Sequence, residues 1–476
     1  MTPPVFRVAA VELYERPVVL RMPFRFGVVT LTEAPQVFVR ARIALPDGRE
    51  GSGVSAEILA PKWFDKDLAL SNEDNFDQLR RALRLAADAY TGDRTPRAAF
   101  GHFAAHYRAV LAAGARHGLN ALVASFGPAQ LDRAVADALC RLLGRSFYEA
   151  VRGGLLGIDA SLTPDLAGFD LARFLGALAR RERIAARHTV GLVDVIAGHP
   201  RQVNDGLPES LEEVVAAYGH TWFKLKVGGN IEADILRLKE IAAVLDAPGK
   251  PYQCSLDGNE QYDDLDQLLA LWYRMRAEPE LERLTESIAF FEQPINRKHA
   301  LDRDVSPLTA AKPVIIDESD ADLDAFPTAK RLGYSGVSSK CCKGFYKSLL
   351  NLARCAQWNA AGGGYFMTGE DLTTQAGLAV QQDLALVSLM GMTHVERNGH
   401  HYANGMAVAP AAEQAAFLAA HPDVYHREDG VVRLAIRNGE LAIGSLACTG
   451  FASAALPDFA AMQPSPVPRF DAGVAA

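Results

Sequence analysis

Six residues of matched type stand at the ends of short apolar runs: Lys224 and Lys226 in FKLKV, Asp257 in SLDGNE, Glu292 in FFEQP, Asp317 in VIIDES and Lys340 in GVSSK. From Lys226 onward the steps are 31, 35, 25 and 23 residues. Each is about one strand-plus-helix repeat. Side chains alternate along a strand, so Lys224 and Lys226 share a face. Two buried ammonium groups on one strand are costly unless carboxylates or an anionic ligand compensate them. Taken alone, FKLKV reads equally well as an edge strand with solvated lysines. An acid at a strand end is likewise often only a helix cap. The succession Lys, acid, acid, acid, Lys is more specific, because it places all five groups at one mouth of a barrel. Three converging carboxylates repel and raise their own pKa values unless a dication sits among them. An all-oxygen set favours Mg²⁺, or Mn²⁺, over Zn²⁺. Lysines flanking the acids can remove an α-proton from one face of a carboxylate substrate and return it to the other. Burial and nearby positive charge are expected to lower their pKa values.

The elements that carry these groups follow from periodicity. Residues 5 to 60 read as antiparallel strands: Val37, Val39, Ala41 and Ile43 alternate with Phe38, Arg40 and Arg42 before the turn Pro46-Asp47-Gly48. Residues 75 to 144 are helical in pattern. From His188 strands and helices alternate seven or eight times in about 240 residues, which predicts a closed parallel barrel rather than an open sheet. Strands return after Asp429 around the hairpin pair Asn438-Gly439. The expected division is a capping domain at 1–145, a connecting or inserted segment at 146–187, a barrel at 188–428, and a C-terminal segment at 429–476 that returns to the capping domain.

The pattern Lys224-Leu225-Lys226, Asp257, Glu292, Asp317, Lys340 resembles the enolase superfamily, and within it the mandelate racemase/muconate-lactonising enzyme family, in its muconate-lactonising subgroup. The resemblance implies an α/β fold, a (β/α)7β TIM-like barrel with an α+β capping domain built from both termini. It implies Asp257, Glu292 and Asp317 as metal ligands and Lys226 and Lys340 as the acid/base pair. Lys224 is similar to the family's auxiliary lysine. Glu370 and Glu396 fall at the seventh and eighth strand ends and are candidates for substrate contact, or for caps and ion pairs. His394 shares strand parity with Glu396. Asn259, Glu260 and Glu318 read as supports around the ligands. In RMPFRFG, which resembles a loop closing over the barrel mouth, Phe24, Arg25 and Phe26 are candidate substrate contacts, with an ordinary hairpin as the alternative.

The resemblance implies an isomerase or lyase. Two opposed lysines suit racemisation or epimerisation of an acylamino acid or dipeptide. Cycloisomerisation or syn-dehydration, with one lysine stabilising by charge, stays open. His394-Val395-Glu396 stands where dipeptide epimerases typically show paired aspartates, which weighs against a dipeptide. Lys340 weighs against acid-sugar dehydration, which usually uses a histidine base. A binding protein on a retained barrel is the reading from another class. A Schiff-base enzyme would not need three carboxylates.

The composition fits a soluble enzyme: 49% hydrophobic, 22% charged, net charge −8 over 476 residues. It shows no basic balance for nucleic acid. No run reaches the roughly 18 apolar residues of a membrane span. MTPPVFRVAAVELYERPV lacks a continuous apolar core and is not read as a secretory signal. The six cysteines include no CxxC pair and read as reduced thiols of a cytoplasmic protein. Partners are expected to be a small carboxylate and, as capping-domain enzymes often assemble, further copies of the chain.

Overall fold

The computed structural model describes residues 2–469 apart from Val28 and Asp263. The last seven residues of the expected C-terminal segment, 470–476, lie outside the described residues. Three antiparallel strands open the chain: β1 (Arg7–Phe26), β2 (Val29–Ala44) and β3 (Glu50–Ile58), with Leu13 opposite Val39 and Val37 opposite Glu57. The alternation read from sequence is realised: Val37, Val39, Ala41 and Ile43 are all fully buried. Against the sheet pack α1 (Asn72–Gly92) and α3 (Ala121–Leu142), and α2 (Ala99–Arg116) packs on those two helices. Ser71 and Asp74 close a capping box at the start of α1, satisfying amides the first turn leaves unpaired. α3 is buried from Leu122 through Cys140, so it forms the seam between capping domain and barrel.

Among the described residues eight parallel strands close into a barrel: β4 (Arg183–Val190), β5 (Trp222–Lys226), β6 (Gln253–Asp257), β7 (Ile288–Glu292), β8 (Val314–Ile316), β9 (Gly336–Ser339), β10 (Phe366–Gly369) and β11 (His394–Arg397). Closure is the pairing of β11 with β4, with Glu396 opposite Arg187. A helix follows each strand, as the alternating pattern requires. β4 begins five residues before the boundary drawn at 188, because Ala185 and Ala186 already pair with His394 and Val395. The segment before it holds helices Phe147–Arg152 and Leu171–Ala177 and is tied to the barrel by Asp165, which accepts two hydrogen bonds from Arg354. The long step between Asp257 and Glu292 holds helix Leu265–Ala277 and a second short helix, Glu282–Ser287.

Glu440–Ala442 pairs with β4 of the barrel, while Gln463–Pro464, the last strand among the described residues, lies on β1. Gln463 and Pro464 pair with Glu15 and Tyr14 of β1, and Arg16 forks onto Glu413 at 3.0 and 2.6 Å. Asn438 and Gly439 both have positive φ, at 52° and 73°, as a two-residue hairpin turn between Ile436–Arg437 and Glu440–Ala442 demands. All six cysteines are free thiols. Among the described residues no helix is long and apolar enough to cross a membrane.

Candidate active site

Strand register sets the site. Lys226 lies opposite Asp257, and Asp257 opposite Glu292, so the ends of β5, β6 and β7 stand at one level. Asp317 and Lys340 follow directly on β8 and β9. All five side chains are buried, at most 6% exposed. The carboxylates converge on an ammonium. Lys224 Nζ lies 2.9 Å from Asp257, 2.7 Å from Glu292, 3.0 Å from Glu370 and 3.2 Å from Glu396. Lys226 Nζ donates to Asp257 Oδ2 at 2.5 Å. Asp317 is turned toward different lysines: Lys340 at 2.5 Å and Lys343 at 3.3 Å, with Ser338 Oγ also donating to it.

These contacts reverse the expected lysine shifts. Burial disfavours the Lys224 ammonium, but Asp257, Glu292, Glu370 and Glu396 outweigh it and hold Lys224 well above the usual lysine value. Lys340 is raised too, burial being outweighed chiefly by Asp317. Burial works against the Asp317 carboxylate, yet Lys340 and Lys343 keep it well below the usual range. Glu292 is the exception. Burial and the neighbouring Asp257 and Glu370 push its carboxyl well up, and its Oε2 is buried without a hydrogen-bond partner.

The outlying candidates divide. Glu370 accepts from Arg187, from Thr368 at 2.7 Å and from Lys224, and is held at about 2, since Arg187 and the lysines outweigh burial. Glu396 accepts from Thr189 at 2.5 Å and from the Asp371 amide at 2.8 Å. Both therefore belong to the charge network at the mouth. His394 does not reach it. It sits at the opposite end of β11, half-buried, stacked on Trp222 at 3.8 Å and beside Arg187, because strand parity fixes its face but not its height. Phe24 and Phe26 are buried and, with Trp63, cover the mouth, leaving a cavity of about 30 Å³ bounded by Lys224, Lys226, Asp317 and Lys340. That holds one or two waters. Arg25, between the two phenylalanines, faces solvent by the same alternation. Asn259 donates its amide to Asp257 at 2.8 Å and its side chain to Glu318 at 3.2 Å. Glu260 binds Arg297 at 2.7 Å and Lys66 at 2.5 Å. Arg297 in turn donates to the Trp63 and Phe64 carbonyls, so Glu260 fastens the covering loop to the barrel. Asn259, Glu260 and Gln293 all have positive φ, a concentration of backbone strain at the mouth.

Sequence reading missed Arg187, Thr189, Lys343 and Trp63. Arg187 and Thr189 point inward from β4 two residues apart, a signal hidden by starting the barrel at 188. Lys343 lies three residues after Lys340. Its Nζ is 2.7 Å from Ser338 Oγ and 3.2 Å from Asp320. Trp63 sits in a loop with no periodicity, and its ring lies 4.4 Å from Lys340 Nζ.

Residues 206–444, half of the chain, match the family model described as enolase C-terminal domain-like. The chain belongs to the enolase superfamily. By that membership it is an enzyme, and the superfamily fold carries the general kind of reaction. No curated protein matches the sequence. Solved structures share the fold across nearly the whole chain. A dipeptide epimerase from Enterococcus faecalis V583, complexed with Mg and the dipeptide L-Leu-L-Tyr, is 14% identical, with 94% of this chain and 99% of that one covered at a TM-score of 0.60. A muconate lactonizing enzyme from Pseudomonas fluorescens, complexed with muconolactone, is 17% identical over 96% and 98%, at 0.56. An enolase from Bradyrhizobium, complexed with magnesium and mandelic acid, is 16% identical over 98% and 100%, at 0.58.

Proposed function

We propose that this enolase-superfamily enzyme removes the α-proton of a small carboxylate and returns it, as a racemase or epimerase, with Asp257, Glu292 and Asp317 holding Mg²⁺. The observation that carries the reading is the burial of these three acids at consecutive strand ends, with Asp257 bound to Lys226 and Asp317 to Lys340. The residues fit the metal: the donors are all carboxylate oxygens, and the buried Glu292 Oε2 has no hydrogen-bond partner and is left for a cation. When bound, the dication supplies Lewis-acid stabilisation of an enolate. Lys224 fills the space between Asp257 and Glu292, and Glu370 and Glu396 offer its ammonium a second pair of carboxylates. Lys226 Nζ and Lys340 Nζ are bound to Asp257 and Asp317, so each becomes a base only as its carboxylate is engaged elsewhere. Phe24, Phe26 and Trp63 exclude water from the proton transfer, and a substrate enters only when that cover opens.

One observation favours a second reading. Lys340 Nζ is held charged by Asp317 and lies on the Trp63 face. That suits a lysine acting by charge in a cycloisomerase or syn-dehydratase. The test is solvent exchange. The protein is incubated with Mg²⁺ in D₂O with pooled α-substituted carboxylates and acylamino acids, beside Lys226→Ala and Lys340→Ala. Deuterium uptake into both enantiomers, lost from opposite enantiomers in the two variants, is expected. Uptake from one face only, or an elimination product, supports the second reading. Exchange into both enantiomers that persists in Lys226→Ala and in Lys340→Ala alike would overturn both.

A further inference from the structure

Behind β4, on the face turned away from the mouth, four histidines gather where the barrel closes. Arg187 and Thr189 point inward to Glu370 and Glu396, so His188 between them points outward. There it meets His220, from the turn before β5, and His400 and His401 of the short helix Gly399–Tyr402 that follows β11. Ring centroids are 5.3 Å apart for His188–His220, His188–His400 and His220–His400, and 5.0 Å for His188–His401.

The polar atoms of this group are unusual. His188 and His220 are 1% and 5% exposed. His188 Nδ1, His220 Nε2, both ring nitrogens of His400 and His401 Nδ1 are shielded from solvent with no hydrogen-bond partner. Each such buried, unsatisfied nitrogen is destabilising, because nothing repays its desolvation. Protonation is no remedy, because buried rings facing one another cannot all be charged. One tautomer is fixed. His220 Nδ1 lies 2.8 Å from the Ala186 carbonyl, which can only accept, so Nδ1 carries the hydrogen and the lone pair of Nε2 is directed into the cluster. A carbonyl that orients an imidazole in this way is the usual support of a metal-ligating histidine.

We propose that His188, His220 and His400 form a second metal site, for a nitrogen-ligated transition dication of the Zn²⁺ class, distinct from the carboxylate mouth. One nitrogen from each ring lies within 4.8 Å of the others. Around a tetrahedral ion with bonds of about 2.0–2.1 Å the nitrogens stand roughly 3.4 Å apart, a difference that side-chain rotation covers. His401 or a water takes the fourth position. The ligands come from the first barrel strand, the turn into the second, and the helix after the last. An ion here therefore pins the seam at which the barrel closes. A surface cleft lined by Tyr218, His220, Phe223 and Tyr252 gives a path for entry. The neutral nitrogen set selects against Mg²⁺.

The test uses untagged full-length protein, freed of metal with chelator and titrated with Co²⁺ in saturating Mg²⁺. One equivalent is expected to bind with the visible ligand-field absorption of a low-coordinate nitrogen site, and Zn²⁺ is expected to displace it. Asp257→Asn should bind it as the wild type does. The double variant His220→Ala/His400→Gln should bind it on the order of 100-fold more weakly. Failure of the wild type to take up Co²⁺, undiminished binding in the double variant, or loss in Asp257→Asn overturns the proposal. Should the double variant not fold, zinc X-ray absorption of the loaded wild type decides. Scattering from two or more imidazoles upholds the site, and oxygen-only ligation refutes it.

Discussion

Lys224 is the residue on which the mouth turns, since one ammonium compensates four buried carboxylates. Removing one partner from a buried charge network costs about 3–5 kcal/mol, because the remaining charges keep their desolvation penalty. Lys224→Met is therefore expected to lose roughly that much stability in chelator and to recover part of it in Mg²⁺, which can take over the compensation. Denaturant midpoints with and without Mg²⁺ check this, and an unchanged midpoint in chelator would count against it. A second residue sets a pH dependence far from the mouth. His421 Nδ1 faces Ser445 Oγ at 3.0 Å, and its Nε2 accepts from the Ala454 amide at 3.1 Å. Burial, against the pull of Asp423, lowers its pKa to about 4. The unfolded chain takes up this proton near pH 6.5 and the folded chain does not. The contribution is complete above about 6.5 and lost as pH falls toward 4, by up to about 1.4 kcal/mol per pH unit. His421→Asn should flatten the slope of stability against pH in that window relative to wild type, and identical slopes would refute it. At this scale the placement of the candidate groups was legible where residue type and spacing both repeat, as in Asp257, Glu292, Asp317 and Lys340, each buried at a strand end. Arg187 and Trp63 were not, because a buried arginine in an unrecognised strand and a tryptophan in an aperiodic loop leave no periodic trace.

Element positions follow from how closely backbones approach. A Cβ on Gly53 of β3 would lie 2.0 Å from the Ala138 amide nitrogen and 2.3 Å from the Ala134 carbonyl of α3. Neither is a flexible side chain, so Gly53→Ala must push helix and strand apart. A loss of about 3 kcal/mol or more, or no soluble protein, is expected. Gly364, which has open space around it, is the control, and Gly364→Ala should shift the melting temperature little. Equal effects of the two would mean that α3 does not seat on β3 this closely. Sequence periodicity located β2, α1 and the barrel repeats because each buries one face against a core. It placed Lys224 and Lys226 on one face, but it grouped Phe24, Arg25 and Phe26 as one set of contacts, of which Arg25 is exposed. It could not say how far along a strand a residue stands, which is how His394 came to be grouped with Glu396. Nor could it see that the β4 backbone starts pairing at Arg183, since Arg183-Ile184-Ala185-Ala186-Arg187 carries one large apolar residue between two arginines.

Across the whole molecule the hydrophobic interior divides differently from the sequence. One core runs from Phe6 through α3 into Ile184 and Ala186 of β4, helix Leu378–Leu389 and the C-terminal residues up to Met462. The other fills the outer layer from the end of β4 to β9, from Val190 to Cys355. The boundary between cores thus passes through the barrel rather than between capping domain and barrel. Polar contacts follow the same line: Gln382 donates to the Val54 carbonyl at 2.8 Å, and Arg133 reaches Gln382 at 3.3 Å. A barrel separated from residues 1–182 would uncover side chains of helices Phe345–Ala360 and Leu378–Leu389 that share the core of the capping helices, among them Phe345, which lies against Phe147, and Tyr346, which lies against Phe100 and Phe103. Exposing such a side chain costs about 1.5–3 kcal/mol. Several of them together reach the same order as the roughly 5–15 kcal/mol that holds a typical domain folded. A chain starting at Arg183 is therefore expected to be insoluble, or to keep far-UV but lose near-UV circular dichroism. Adding residues 1–182 as a separate chain should restore the near-UV signal. If the truncated chain alone were monomeric with native near-UV dichroism, the barrel would hold its own core, and the capping domain would act only as a cover for the mouth.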